Sequence, residues 1–127
     1  MRQLIKCLKA LSDESRLRVL NLILERECCV CEVMQVMEIS QSKASRILSA
    51  LYDAGLLRLR KEGRWALYSI DKEELNDYMT EILTGISKAL EENHTTAQDR
   101  ERLKKAERVG PNCFSKLCEG RLAPEAS

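Results

Sequence analysis

Six cysteines set the chemistry open to this 127-residue chain: Cys7, Cys28, Cys29, Cys31, Cys113 and Cys118. Three of them crowd into Cys28-Cys-Val-Cys31, and thiolates held so close select soft, thiophilic ions. Placed at a helix start, near the amide dipole, they are expected to have lowered pKa values. The plainer reading is three small buried hydrophobes, which free cysteine often is. A disulfide framework is not expected, because such frameworks belong to secreted mini-domains. The stretch Met1 to Ala10, with Arg2, Lys6 and Lys9 among apolar residues, lacks a secretory pattern, so a reducing cytoplasm is the expected setting. On a regular helix, residues i and i+2 point about 200° apart. Joint capture of one ion by Cys29 and Cys31 therefore predicts an unwound turn.

Thiol enzymology fits poorly. There is no phosphate-cradling glycine loop, and the single histidine, His94, lies in a polar stretch far from any cysteine. Cys28 and Cys31 do form a Cys-x-x-Cys, but between two helices rather than in a strand-helix setting.

The elements that must position these thiols can be read from periodicity. Leu4, Ile5, Leu8 and Leu11 predict a helix over residues 2–10, and Ser12 is the expected cap of a second over 13–26. Val30, Val33, Met34 and Met37 predict a third over 30–37, directly behind the cysteines. Ser40 caps a fourth whose apolar face is Ala44, Ile47, Leu48 and Leu51, and Gly55 ends it in the left-handed conformation. Two short helices this close predict a helix-turn-helix. Leu56 to Arg60 and Arg64 to Ile70 flank Lys61, Glu62 and Gly63 as a hairpin, the wing. Asp71 is expected to cap a long amphipathic helix running to Glu92, with more apolar face than the wing alone would cover. The fold class is thus mainly α with a small β-hairpin, a winged helix-turn-helix in a homodimer. Residues 1–93 are expected to form the DNA-binding and dimerisation domain. Residues 94–127 are expected to form a flexible tail carrying a cysteine pair and at most one short helix near 98–108.

Charge supports a nucleic-acid partner. A net charge of +1 hides segregation: six bases face two acids from Gln41 to Arg64, whereas seven acids face two bases from Asp71 to Glu92. The start of a recognition helix reaches base edges, so Gln41, Ser42, Lys43, Ser45 and Arg46 are the expected readers of double-stranded DNA. Arg46 or Gln41 would carry specificity and Lys43 would hold phosphate, with Arg60, Lys61 and Arg64 on the wing against the backbone or minor groove. No apolar run approaches the roughly 18 residues of a membrane helix.

Four motifs in order resemble the ArsR/SmtB family of metal-responsive repressors, most closely its arsenic-responsive branch. They are Leu11-Ser-Asp-Glu-Ser-Arg-Leu-Arg-Val-Leu20, Glu27-Cys-Cys-Val-Cys-Glu32, Ser40-Gln-Ser-Lys-Ala-Ser-Arg46, and Gly55-Leu-Leu with Lys61-Glu-Gly-Arg-Trp65. The resemblance covers roughly Met1 to Glu92. It implies a homodimer whose paired recognition helices enter a two-fold operator, no permanent cofactor, and an inducer, As(III) or Sb(III), held by Cys29 and Cys31. Where those relatives place a third cysteine this chain has Met34, which leaves Cys28, Cys113 or Cys118 as the third sulfur, and Cys7 as a packed residue. Alternatives with the same fold are a cadmium or lead sensor and a thiol-redox switch.

Overall fold

Apolar residues spaced three and four apart become helices along most of the chain, in a computed structural model that describes residues 1–108. They are α1 (Arg2–Leu11), α2 (Glu14–Glu25), α3 (Val30–Met37), α4 (Gln41–Asp53), α5 (Asp77–Glu91) and α6 (His94–Lys105). Three strands, β1 (Cys28–Cys29), β2 (Arg58–Glu62) and β3 (Trp65–Ser69), form one antiparallel sheet in the order β1-β3-β2.

Polar side chains decide where the helices begin. Asp13, rather than Ser12, caps α2 by accepting the Arg16 N–H at 3.0 Å, while the Ser12 hydroxyl donates to the Lys9 carbonyl and closes α1. Ser40 accepts the Lys43 N–H at 3.1 Å and opens α4, as its sequence predicts. At the far end of α4, Gly55 has φ +84°, and the Leu56 N–H reaches back to the Leu51 carbonyl at 3.1 Å. Only glycine takes that left-handed turn without a Cβ penalty. Asp71 does not cap α5, because its carboxylate is taken by the Glu73 N–H and by Arg58; Asn76 caps it instead through the Met79 N–H.

The core lies where α2, α3 and α4 meet. Leu20, Leu22, Val33, Val36, Leu48 and Leu51 are wholly buried there, each worth about 1.5–3 kcal/mol relative to exposure. This packing fixes the angle between α3 and α4 and hence the presentation of the α4 N-terminus.

Two further features depart from the sequence reading. The boundary expected at residue 93 is not a structural one: α6 starts at His94 and packs on α2 and α3 with Thr96, Asp99 and Leu103 buried. Its docking is mostly polar, which is why apolar periodicity missed it. Asp99 takes a two-pronged ion pair from Arg18 at 2.8 and 3.0 Å, and Asn21 donates to the Thr96 carbonyl at 3.1 Å. The second departure is β1, which pairs Cys28 with Tyr68 and Cys29 with Leu67, so the wing is a three-stranded sheet with β3 in the middle and the cysteines on the buried edge strand β1. β2 is exposed throughout, as an edge strand with solvent on both sides, and in β3 only Leu67 is buried. No helix among the described residues is long and apolar enough to cross a membrane.

Candidate thiol site and nucleic-acid interface

Cys29 stands at the seam between strand and helix. Its backbone is extended (φ −96°, ψ 170°) and it occupies the cap position of α3, one residue outside the helix, whereas Cys31 lies in the first turn. The angular argument from a regular helix therefore fails here. The two sulfurs are already side by side, 2.6 Å apart and both buried. A pair bridging one ion through metal–sulfur bonds of about 2.3 Å at near-tetrahedral angles would be about 3.8 Å apart. Cys29 lies outside the helix, so joint capture does not require the predicted unwinding of α3.

Electrostatics separates Cys28 from Cys29, and the lowered pKa expected of thiols at this helix start is found at Cys29 and not at Cys28. The Cys31 thiol hydrogen-bonds to Cys29, and the backbone N–H groups of Glu32 and Cys31 add to it; together they outweigh burial and lower the Cys29 pKa to about 7. Burial, reinforced by the Glu32 carboxylate, pushes Cys28 up to about 12. Cys28 also faces the other way, toward the carbonyls of Arg26 at 3.3 Å and Leu22 at 3.9 Å, and it packs in the main core. It is not brought to the Cys29–Cys31 pair. Met34 packs in the main core too, and Cys7 donates to the Ala54 carbonyl at 3.1 Å, consistent with a packed residue. Cys113 and Cys118 lie outside the described residues.

Several residues around the pair were not singled out by sequence. Glu32, 2% exposed, accepts the Cys29 N–H at 2.8 Å, so Cys29 and Glu32 form a capping box with cysteine in the serine position. The spacing Cys29-x-x-Glu32 was the available signal. Arg26 at 2.7 Å and Arg108 at 3.2 Å neutralise the Glu32 carboxylate. Leu67, with half-buried Trp65 packed alongside, forms a separate apolar cluster with the two cysteines, and the Arg108 guanidinium lies 5.9 Å from the Trp65 ring centroid. Nothing local in sequence announces these contacts.

On the face expected to meet DNA, Ser42, Lys43 and Arg46 are exposed at the start of α4, while half-buried Gln41 donates to Ser45 at 2.9 Å. Lys61 and Arg64 are exposed on the wing on either side of Gly63. Arg60 reaches back to grip Glu27 with two hydrogen bonds of 2.7 and 2.8 Å and also pairs with Glu62. It ties the wing to the residue before β1.

Residues 13–58, which contain the helix-turn-helix, match the family model described as bacterial regulatory protein, arsR family. The chain is 37% identical over 79 residues to the arsenical resistance operon repressor of Bacillus subtilis, covering 61% of this chain and 75% of that one. The chain belongs to the arsR family. Another arsR-family relative, the arsenic resistance transcriptional regulator ArsR1 of Pseudomonas putida, is 39% identical over 85 residues, 66% of each chain. The solved structure of reduced HlyU from Vibrio cholerae superposes with a TM-score of 0.59 at 27% identity, over 69% of this chain and 88% of that one. This arsR-family chain is accordingly a transcriptional repressor with a winged helix-turn-helix, and not an enzyme.

Proposed function

We propose that this repressor binds a two-fold operator as a homodimer in the cytoplasm and releases it when Cys29 and Cys31 capture trivalent arsenic or antimony. The observation that carries the reading is the pair of sulfurs lying at the point where β1 hands over to α3. β1 belongs to the wing sheet and α3 packs on α4, so a displacement at this seam is felt by both DNA-contacting elements. Gln41, Ser42, Lys43, Ser45 and Arg46 read the major groove. Lys61 and Arg64 hold the backbone, and Arg60 joins them if its grip on Glu27 opens. A coupling of about 1–3 kcal/mol between site and operator weakens binding roughly 5- to 150-fold, enough for induction. Exposed Ile5 and Leu8 on α1 and Tyr78 on α5 support a dimer interface on those helices. For inorganic arsenite a third sulfur comes from Cys113 or Cys118. Arg108 touches Glu32 beside the pair, and Cys113 follows five residues later, a span of at most about 17 Å.

The test is release of purified protein from a fluorescent palindromic operator during titration with arsenite, antimonite, cadmium and zinc. Arsenite and antimonite are expected to release the wild type and not Cys29→Ser or Cys31→Ser. Release of those two variants at wild-type concentrations sinks the reading. Paired sulfurs also suit an oxidative switch, so peroxide forms a separate arm, and release by peroxide alone would favour that alternative.

A further inference from the structure

The fold gives Arg60, a base expected to hold DNA, an anion of its own. Its Nε and Nη2 donate to the two Glu27 carboxylate oxygens at 2.7 and 2.8 Å, and Nη2 also meets Glu62 at 3.2 Å. A guanidinium fork fits a carboxylate and a phosphate in the same two-pronged way, so the anion that holds this edge excludes the other. Directly opposed residues of antiparallel strands share a face, which puts Cys29, Leu67 and Arg60 in one row across the sheet. Arg60 reaches past that row to Glu27, two residues before Cys29. The Glu27 backbone is pinned there, its carbonyl accepting from Arg26 and Arg108 at 3.2 Å each. The pair itself keeps a wet side: the Arg60 side chain is 47% exposed and that of Glu27 24%. An ion pair so exposed is weakly held, whereas duplex DNA presents one negative charge per about 1.7 Å of its axis.

We propose that Arg60 is an exchangeable phosphate ligand: Glu27 holds it in the free repressor, and a backbone phosphate of double-stranded DNA takes it in the complex. This rests on the proposed operator binding and specifies how the wing engages. Glu27 is an internal decoy, a carboxylate that DNA must displace before the wing closes on it. Exchange frees Arg60 on one face of β2, while exposed Lys61 stands on the other, so the wing meets the backbone with a cation on each face. The decoy is carried by the same short stretch of chain as the thiol pair.

Binding of a fluorescent palindromic operator and of a random duplex of equal length is followed by anisotropy from about 50 to 200 mM salt. The proteins are the full-length chain, Arg60→Ala, Glu27→Gln and Arg60→Ala/Glu27→Gln. Arg60→Ala is expected to lower the slope of log affinity against log salt by about 0.9, the share of one phosphate, on both duplexes alike. Glu27→Gln is expected to tighten binding about two- to fivefold, the scale of an exposed ion pair that no longer has to be broken. That gain is expected only while Arg60 is present. An unchanged slope in Arg60→Ala overturns the proposal, because the arginine then never reaches phosphate. So does a Glu27→Gln protein that binds no tighter, or a gain that survives in the double variant, which marks general repulsion between Glu27 and DNA. A wild type that binds neither duplex defeats operator binding itself, a result distinct from any of these.

Discussion

Cys29 is a helix cap made of sulfur, and this residue-scale fact has a pH signature. Its folded pKa of about 7 lies below the unfolded thiol value of about 8.5, so the thiolate is the form the native structure favours. The resulting stabilisation is fully present above the unfolded value and is lost as pH falls through about 7. Thiolate ultraviolet absorbance of the native protein is expected to show a step centred near pH 7 that Cys29→Ser lacks. A wild-type titration with no step below pH 8 contradicts the assignment. Cys28, pushed up to about 12, contributes nothing to that step.

At the scale of elements, α6 is held by charge more than by apolar burial. Asp99 is 2% exposed and its partner Arg18 is only partly buried, so losing the guanidinium strands a carboxylate in the interior. Arg18→Ala is expected to destabilise the protein by about 3–5 kcal/mol in urea unfolding, and Arg18→Ala/Asp99→Ala to recover much of it. Equal losses in the single and double variants would count against the ion pair as the lock. On α4, removing the Ser40 hydroxyl should cost about 1 kcal/mol, read as a lower denaturant midpoint for Ser40→Ala with an unchanged slope.

At the scale of the whole molecule, the exposed apolar residues of α1 and α5 and the basic start of α4 belong to one device if the protein dimerises. Ile5→Lys/Leu8→Lys is expected to shift sedimentation toward monomer and to weaken operator binding, while leaving the circular dichroism of the fold intact. A dimer unchanged by both substitutions would place the interface elsewhere. The site, the wing and α6 are also one connected unit: β1 pairs with β3, Arg60 grips Glu27, and Arg108 spans Glu32 and the Trp65 ring. A ligand at the thiols therefore meets the wing and the last of the described residues through a few polar links.

What the sequence determined by itself is everything with a local cause. Repeats of three and four residues place α1 to α5, Ser40 and Gly55 set the ends of α4, and Cys-Val-Cys marks the thiol pair, with Gln41 to Arg46 as the proposed DNA face. The tertiary structure alone decided the surroundings of that pair. A two-residue strand has no period to detect, so its partners Leu67 and Tyr68, and with them the Trp65 wall, follow only from the folded register. Polar α6 shows no apolar stripe, and its place follows from partners 81 residues away in sequence, Arg18 for Asp99. Cys29 and Cys31 meet for the same kind of reason: pairing with β3 keeps Cys29 extended and outside the helix, which turns two side chains predicted to diverge into neighbours.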